Sequence, residues 1–95
     1  METSDVSQRD KRYYVYVLQS RKDHGLYIGY TIDLKNRLIS HAHGVNIATK
    51  DRRPFKLIHY EYFVNMHDAK AREKFLKSGY GRMQLKQILK NTLGY

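Results

Sequence analysis

The sequence predicts an α/β (α+β) fold: a three-stranded antiparallel sheet flanked by three helices, in the order β-β-α-β-α-α. Three observations lead there. Two short runs of β-branched and aromatic residues are joined by a polar turn, a third such run follows a basic loop, and the remaining segments carry apolar residues at helical spacing. At 95 residues the chain can build one hydrophobic core but not a second.

The first run is Tyr13 to Gln19, YYVYVLQ, and the second is Leu26 to Thr31, LYIGYT. SRKDHG between them reads as a turn. Setting Tyr16 opposite Tyr27 puts Gln19 opposite His24 and leaves Ser20 to Asp23 as a four-residue hairpin loop. The two phenols are then direct cross-strand neighbours on one face. Thr31 or Asp33 can cap a helix that runs through Leu34 and Leu38 to Ala42, where Gly44 supplies the stop. Val45 to Pro54 has no periodicity and carries Lys50, Arg52 and Arg53, so it reads as a basic loop suited to phosphate. Phe55 to Phe63 is the third strand. Ile58, Tyr60 and Tyr62 lie on one side and Leu57, His59, Glu61 and Phe63 on the other, and two similarly apolar faces suggest a central strand. A second helix is expected over Met66 to Lys77. A third follows Gly79 and Gly81, from Met83 to Asn91, with Leu85, Ile88 and Leu89 as its apolar positions.

Lysine and arginine total 18 against 9 acidic residues, a net charge of +9. A polyanion is the partner such a surface favours, because counterion release rewards it on nucleic acid without any reading of sequence. Absence of cysteine excludes disulfides and thiolate metal sites and leaves the cytosol as the expected compartment. Residues 1–12 read as a flexible basic segment with no apolar stretch for a signal or a membrane span, and 13–95 as the single domain.

Ala69, Glu73 and Leu76 fall at i, i+4 and i+7 of the second helix, so Glu73 shares a stripe that should face the core. A carboxylate there needs a partner. The plainer reading is a salt bridge to Arg72, Arg37 or another cation; the functional one is a ligand for a hard divalent ion. On the first helix, Arg37 and His41 are spaced i, i+4 and flank the Leu34/Leu38 stripe, at the rim of a buried surface. A guanidinium there can hold a phosphate and an imidazole can relay a proton. The plainer reading is a surface arginine beside a partly packed histidine. His24, His59 and His67 have no pairwise ligand spacing, which argues against a histidine zinc site.

Two phenols on a strand pair, an Arg and His on the next helix, and a lone inward carboxylate on a later one form an arrangement that resembles the GIY-YIG nuclease family. Its two short motifs correspond to Tyr14-Val15-Tyr16 and Tyr27-Ile28-Gly29; Arg37 follows the second motif's tyrosine by ten residues, with His41 and Glu73 beyond. Minimal stand-alone members are the most similar, around Arg72-Glu73-Lys74-Phe75-Leu76-Lys77-Ser78-Gly79. Tyr14 and Val15 depart from the first motif's Gly and Ile, and Leu85 stands where larger members place a polar residue.

The resemblance implies a metal-dependent endonuclease acting on DNA, with RNA as a further candidate. Tyr16 would activate the attacking water as a phenolate or through a relay, Tyr27 would orient water or phosphate, Arg37 would stabilise the phosphorane and His41 would assist proton transfer. Glu73 would hold one Mg²⁺ or Mn²⁺ ion. A phenol titrates near 10, so Tyr16 needs positive charge from Arg37, the metal or His41⁺. Lys50, Arg52 and Arg53, with Arg82, Lys86 and Lys90 of the last helix, would contact flanking phosphates. The competing expectation is a non-catalytic nucleic-acid-binding module, or a nuclease subunit that requires a partner. No membrane role is expected, and the assembly is expected to be a monomer or weak dimer.

Overall fold

The structure is a computed structural model, and it describes residues 12–94. The expected segment 1–12 therefore lies outside the described residues except for Arg12. Strand β1 (Tyr13–Ser20) pairs antiparallel with both β2 (Leu26–Thr31) and β3 (Phe55–Phe63), in the order β2-β1-β3. Helix α1 (Leu34–Ala42) and a 3-10 turn (Lys50–Arg52) lie between β2 and β3; α2 (Met66–Lys77), α3 (Gly79–Ile88) and the one-turn α4 (Lys90–Leu93) follow. The sequence-predicted architecture is the one observed.

Alternation along β1 divides the molecule. Val15 and Val17 point to one face, where with Ile28 they meet Ala69, Leu76, Leu85 and Leu89 of the C-terminal helices in a single core. Tyr14, Tyr16, Leu18 and Ser20 point to the other face, where α1 lies, with His41 bonded to Tyr16.

Three expectations are corrected. The β1–β2 register sets Tyr16 opposite Gly29 and Leu18 opposite Tyr27, two residues from the expected pairing. Ser20 holds the longer loop: its NH donates to Gly25 O (2.9 Å), its carbonyl accepts from His24 NH (2.9 Å), and its buried hydroxyl accepts from Lys22 and Asp23 NH while donating to Arg52 O. A two-residue shift preserves side-chain parity, so Tyr16 and Tyr27 still share a face, as diagonal neighbours.

Strand β3 is an edge strand, because β1 occupies the centre. Its pairing skips Ile58, since Val17 meets His59 and Leu18 meets Leu57, and this bulge turns Ile58 into the helical core while Tyr60 and Tyr62 stay on the opposite face. The third helix starts at Gly79 and ends at Ile88, with Ser78 accepting from Gly81 NH as its cap, and Lys90–Leu93 forms a separate turn. The two glycines therefore belong to the helix. A Cβ at Gly81 would fall inside the backbone of Phe75 and Leu76, so this glycine permits the tight corner between α2 and α3.

The ends of α1 follow expectation, and the cap of α2 is an addition. Asp33 accepts from Asn36 NH at the start of α1, Thr31 Oγ1 accepts from Asp33 NH before it, and Gly44 follows with φ +73°. Asn65 caps α2 through His67 and Asp68 NH. Among the described residues no helix is long and apolar enough to cross a membrane.

Candidate active site

Tyr16 is fully buried at the centre of the sheet, and its hydroxyl lies 2.8 Å from His41 Nε2. Its ring crosses over Gly29, the cross-strand partner, where any Cβ would overlap it. Glycine in a strand often marks such a close approach, and Gly29, the last residue of the second motif, provides the space for this ring. The spacing of Tyr27 and His41 on Tyr16 makes a three-ring cluster: Tyr16 and Tyr27 centroids are 6.3 Å apart, and Tyr27 stands edge-on to His41 at 5.3 Å.

His41 is not a rim residue. It is buried, and its Nδ1 lies 2.8 Å from Thr49 Oγ1, which in turn is 3.5 Å from the Asn46 carbonyl. Both ring nitrogens are thus occupied and the chain Tyr16–His41–Thr49 runs through the interior. Thr49 carries no sequence signal: it is one hydroxyl in an aperiodic loop, brought in by the fold over Asn46–Arg52.

Electrostatics follow from this enclosure. Burial pushes the Tyr16 phenol up to about 12, with Tyr27 adding to the rise; Arg37 opposes it through a hydrogen bond and its charge, and Glu73 adds a smaller upward push. Burial, reinforced by the charge of Arg37, holds His41 below its usual 6.5. The imidazole is therefore neutral near pH 7, so the positive charge sought for Tyr16 comes from Arg37 and not from His41⁺. Arg37, one turn before His41, is half-buried and close enough to Tyr16 to oppose the rise of its phenol.

Glu73 approaches from elsewhere. It lies on α2, the helix packed on the opposite face, at the flank of the Ala69/Leu76 stripe toward β2, since Lys70 one turn earlier stacks over Tyr30 of that strand. It is 23% exposed and accepts from Lys77 Nζ at 2.8 Å, so the partner is a cation one turn on and not Arg72 or Arg37. Arg72 instead pairs with Glu61 of β3, 2.8 Å away, and Glu61 also meets His59 at 3.0 Å. The structure thus groups Tyr16, Tyr27, Arg37 and His41 on one face and brings Glu73 near enough for its charge to raise the Tyr16 and Tyr30 phenols.

The basic residues divide likewise. Arg52 is engaged with Asp23 through two bonds of 2.8 and 3.2 Å and ties the loop to the β1–β2 turn, while Arg53 donates to the Lys50 and Ala42 carbonyls and ties it to the end of α1. Lys50 remains exposed beside a cavity of about 700 Å³ that His41, Leu18 and Phe55 help to line. Arg82, Lys86 and Lys90 belong to α3 and α4, on the face away from Tyr16. Leu85 is fully buried in the core, so that position carries packing and no polar contact to a ligand.

A model of the GIY-YIG catalytic domain matches residues 12–86. Curated relatives are UPF0213 proteins: one from Pediococcus pentosaceus is 42% identical over 82 residues, 85% of each chain, and one from Staphylococcus haemolyticus is 36% identical over 78 residues, 81% of this chain and 94% of that one. The solution NMR structure of a UPF0213 protein from Bacillus halodurans is similar in fold, with a TM-score of 0.53 and 32% identity over 81% of this chain and 84% of the other.

Proposed function

This chain belongs to the GIY-YIG catalytic domain family, a family of endonucleases, and from that footing we propose that it is a metal-dependent endonuclease that hydrolyses DNA phosphodiester bonds. The observation that carries the reading is the buried Tyr16–His41 hydrogen bond with Arg37 beside it. A phenol raised to about 12 is a poor base by ionisation, but it can pass a proton along. Thr49 Oγ1 can donate to the Asn46 carbonyl and accept from His41 Nδ1–H, which leaves the Nε2 lone pair facing the Tyr16 hydroxyl. As the attacking water gives its proton to Tyr16 Oη, the phenol's own proton moves to His41 Nε2, and no free phenolate forms. In the free protein Tyr16 is covered; a phosphate that draws Arg37 outward opens its oxygen to water, and the same guanidinium then faces the charge that builds on the phosphorane. Tyr27, half-buried against both rings, keeps the hydroxyl in line.

The carboxylate chemistry suits a hard divalent ion, Mg²⁺ or Mn²⁺. No group of three or more His, Cys, Asp or Glu fit to hold a metal occurs among the described residues, so Glu73 would supply a single carboxylate, released from Lys77, and water and phosphate would complete the shell. Such an ion, when bound, draws charge from a nonbridging phosphate oxygen and the leaving group. The domain is taken as 13–95 and the compartment as cytoplasmic. Lys50, beside the cavity next to His41, would supply a sequence-independent phosphate contact, a role that Arg52 and Arg53 share less through their loop bonds, while Arg82, Lys86 and Lys90, in the helical layer away from Tyr16, would reach only phosphates distant from the scissile one.

The test is cleavage of labelled single-stranded, duplex, flap and branched DNAs in Mg²⁺ or Mn²⁺, with a chelator control. Native protein is expected to cut at least one, and Glu73→Gln to lose cutting while retaining DNA binding. Binding without cleavage by native protein across the panel would favour a binding module or a subunit that requires a partner.

A further inference from the structure

The face of the sheet that carries Tyr16 is only partly covered. Beyond α1, three more tyrosines stand on it: Tyr14 of β1 and Tyr60 and Tyr62 of β3. Tyr60 is the cross-strand partner of Tyr16, and Tyr62 that of Tyr14, so the group continues directly from the candidate catalytic phenol. Tyr14 packs edge-on to Tyr60 and tilted to Tyr62, both with centroids 5.9 Å away, which braces the two outer rings. Yet Tyr60 is 52% exposed and Tyr62 44%.

Aromatic side chains on an edge strand are a liability unless something uses them, because an exposed apolar edge invites pairing with another chain. Neither ring serves the core, whose members lie on the opposite face. The surroundings are shaped as well. A cavity of about 390 Å³ lies among Arg12, Tyr14, Tyr60 and Tyr62, and one of about 660 Å³ lies between Arg12, Tyr14 and the side of α1 that carries Lys35; sharing Arg12 and Tyr14, they form one trough. Two braced, half-exposed rings beside Arg12 and Lys35, with Asp33 the one carboxylate of the lining, on a chain of net charge +9, match the two features that hold unpaired nucleic acid: a platform for base faces and positive charge for the backbone.

We propose that Tyr60 and Tyr62 form a base-stacking platform, and that this trough seats an unpaired stretch of DNA strand running toward Tyr16. The inference rests on the nuclease reading for its orientation, but the platform binds DNA whether or not the protein cuts it. Duplex DNA fits it poorly, because paired bases keep their faces stacked on one another.

Binding is therefore measured in the presence of a chelator, which separates it from cleavage. The probes are a labelled twelve-nucleotide thymidine strand and a mixed-sequence duplex of equal length, read by fluorescence anisotropy at low salt. Native protein is expected to prefer the single strand. Tyr60→Ala/Tyr62→Ala is expected to weaken that binding at least about tenfold, with duplex binding changed less than about twofold, and Tyr60→Phe/Tyr62→Phe to restore it, since the ring face remains. Circular dichroism and thermal melting of each variant confirm folding, which these exposed positions should leave intact. Native-like affinity of the double alanine variant for the strand, an equal loss for strand and duplex, or a native preference for duplex would each overturn the proposal. Loss of cleavage with this binding pattern intact would count against the nuclease reading alone.

Discussion

Gly29 is where the site has least room. Its missing side chain is the space through which the Tyr16 ring passes, so Gly29→Ala is expected to displace that ring, to lower stability by about 1–3 kcal/mol in denaturant titration, and to reduce cleavage. His41 sets the pH response. Its folded pKa lies below 6.5, so the unfolded chain takes up the proton first as pH falls. Stability from the neutral imidazole is full above about 6.5 and declines below it, and the rate should decline in the same window because protonated His41 cannot accept from Tyr16. No fall from Tyr16 ionisation is expected until near pH 12. A pH–rate profile with its acid limb centred above pH 7 would contradict this assignment. Thr49→Val removes the Nδ1 partner without changing side-chain size much; the expected outcome is a slower cleavage step with DNA affinity unchanged, read by single-turnover kinetics. Of these residues, Tyr16, Tyr27, Arg37 and His41 were visible in the sequence through strand parity and the i, i+4 pair. Thr49 was not, because a contact across a loop leaves no periodic trace, and neither was the complete burial of Tyr16 and His41, which depends on what the loop covers.

At the scale of elements, the α2–α3 corner depends on Gly81. Adding a methyl group there sets a side chain against the backbone of the preceding helix, and Gly81→Ala is expected to cost about 1–3 kcal/mol or more, seen as a lowered melting temperature, whereas Gly79→Ala, with open space around it, should be tolerated. Starting the third helix after these two glycines follows from composition, since only packing distinguishes a helix-contact glycine from one that ends a helix. Caps and apolar spacing place α1, and apolar spacing alone places α2, whose Asn65 cap appears only in the fold. Strand register was harder: shifting β2 by two residues leaves every side chain on its own face, so hydrophobic pattern cannot detect it, and Ser20's hydroxyl network decides the loop. Strand β3 looked central because both its faces are apolar. Two of those residues, Tyr60 and Tyr62, are half-exposed, and a tyrosine's place in the alternation does not reveal whether it is covered.

Across the whole molecule, the sheet separates two tasks. The face against α2 and α3 holds the core, and the face against α1 holds the Tyr16–His41–Thr49 chain, with Glu73, bonded to Lys77, close enough on the helical side for its charge to raise the Tyr16 phenol. Net charge predicts that DNA affinity falls steeply as salt rises, which a titration of binding against salt checks; the sequence could not show that Lys86 of α3 and Lys90 of α4 belong to the layer away from Tyr16. The most direct test of the relay is the single-turnover cleavage rate of Tyr16→Phe at saturating DNA and divalent ion. Removing the hydroxyl while keeping the ring should slow cleavage by about 10²-fold or more, with DNA binding close to native and stability lowered by about 1–3 kcal/mol because buried His41 Nε2 loses its partner. Cleavage by Tyr16→Phe at the native rate would contradict the account at its centre.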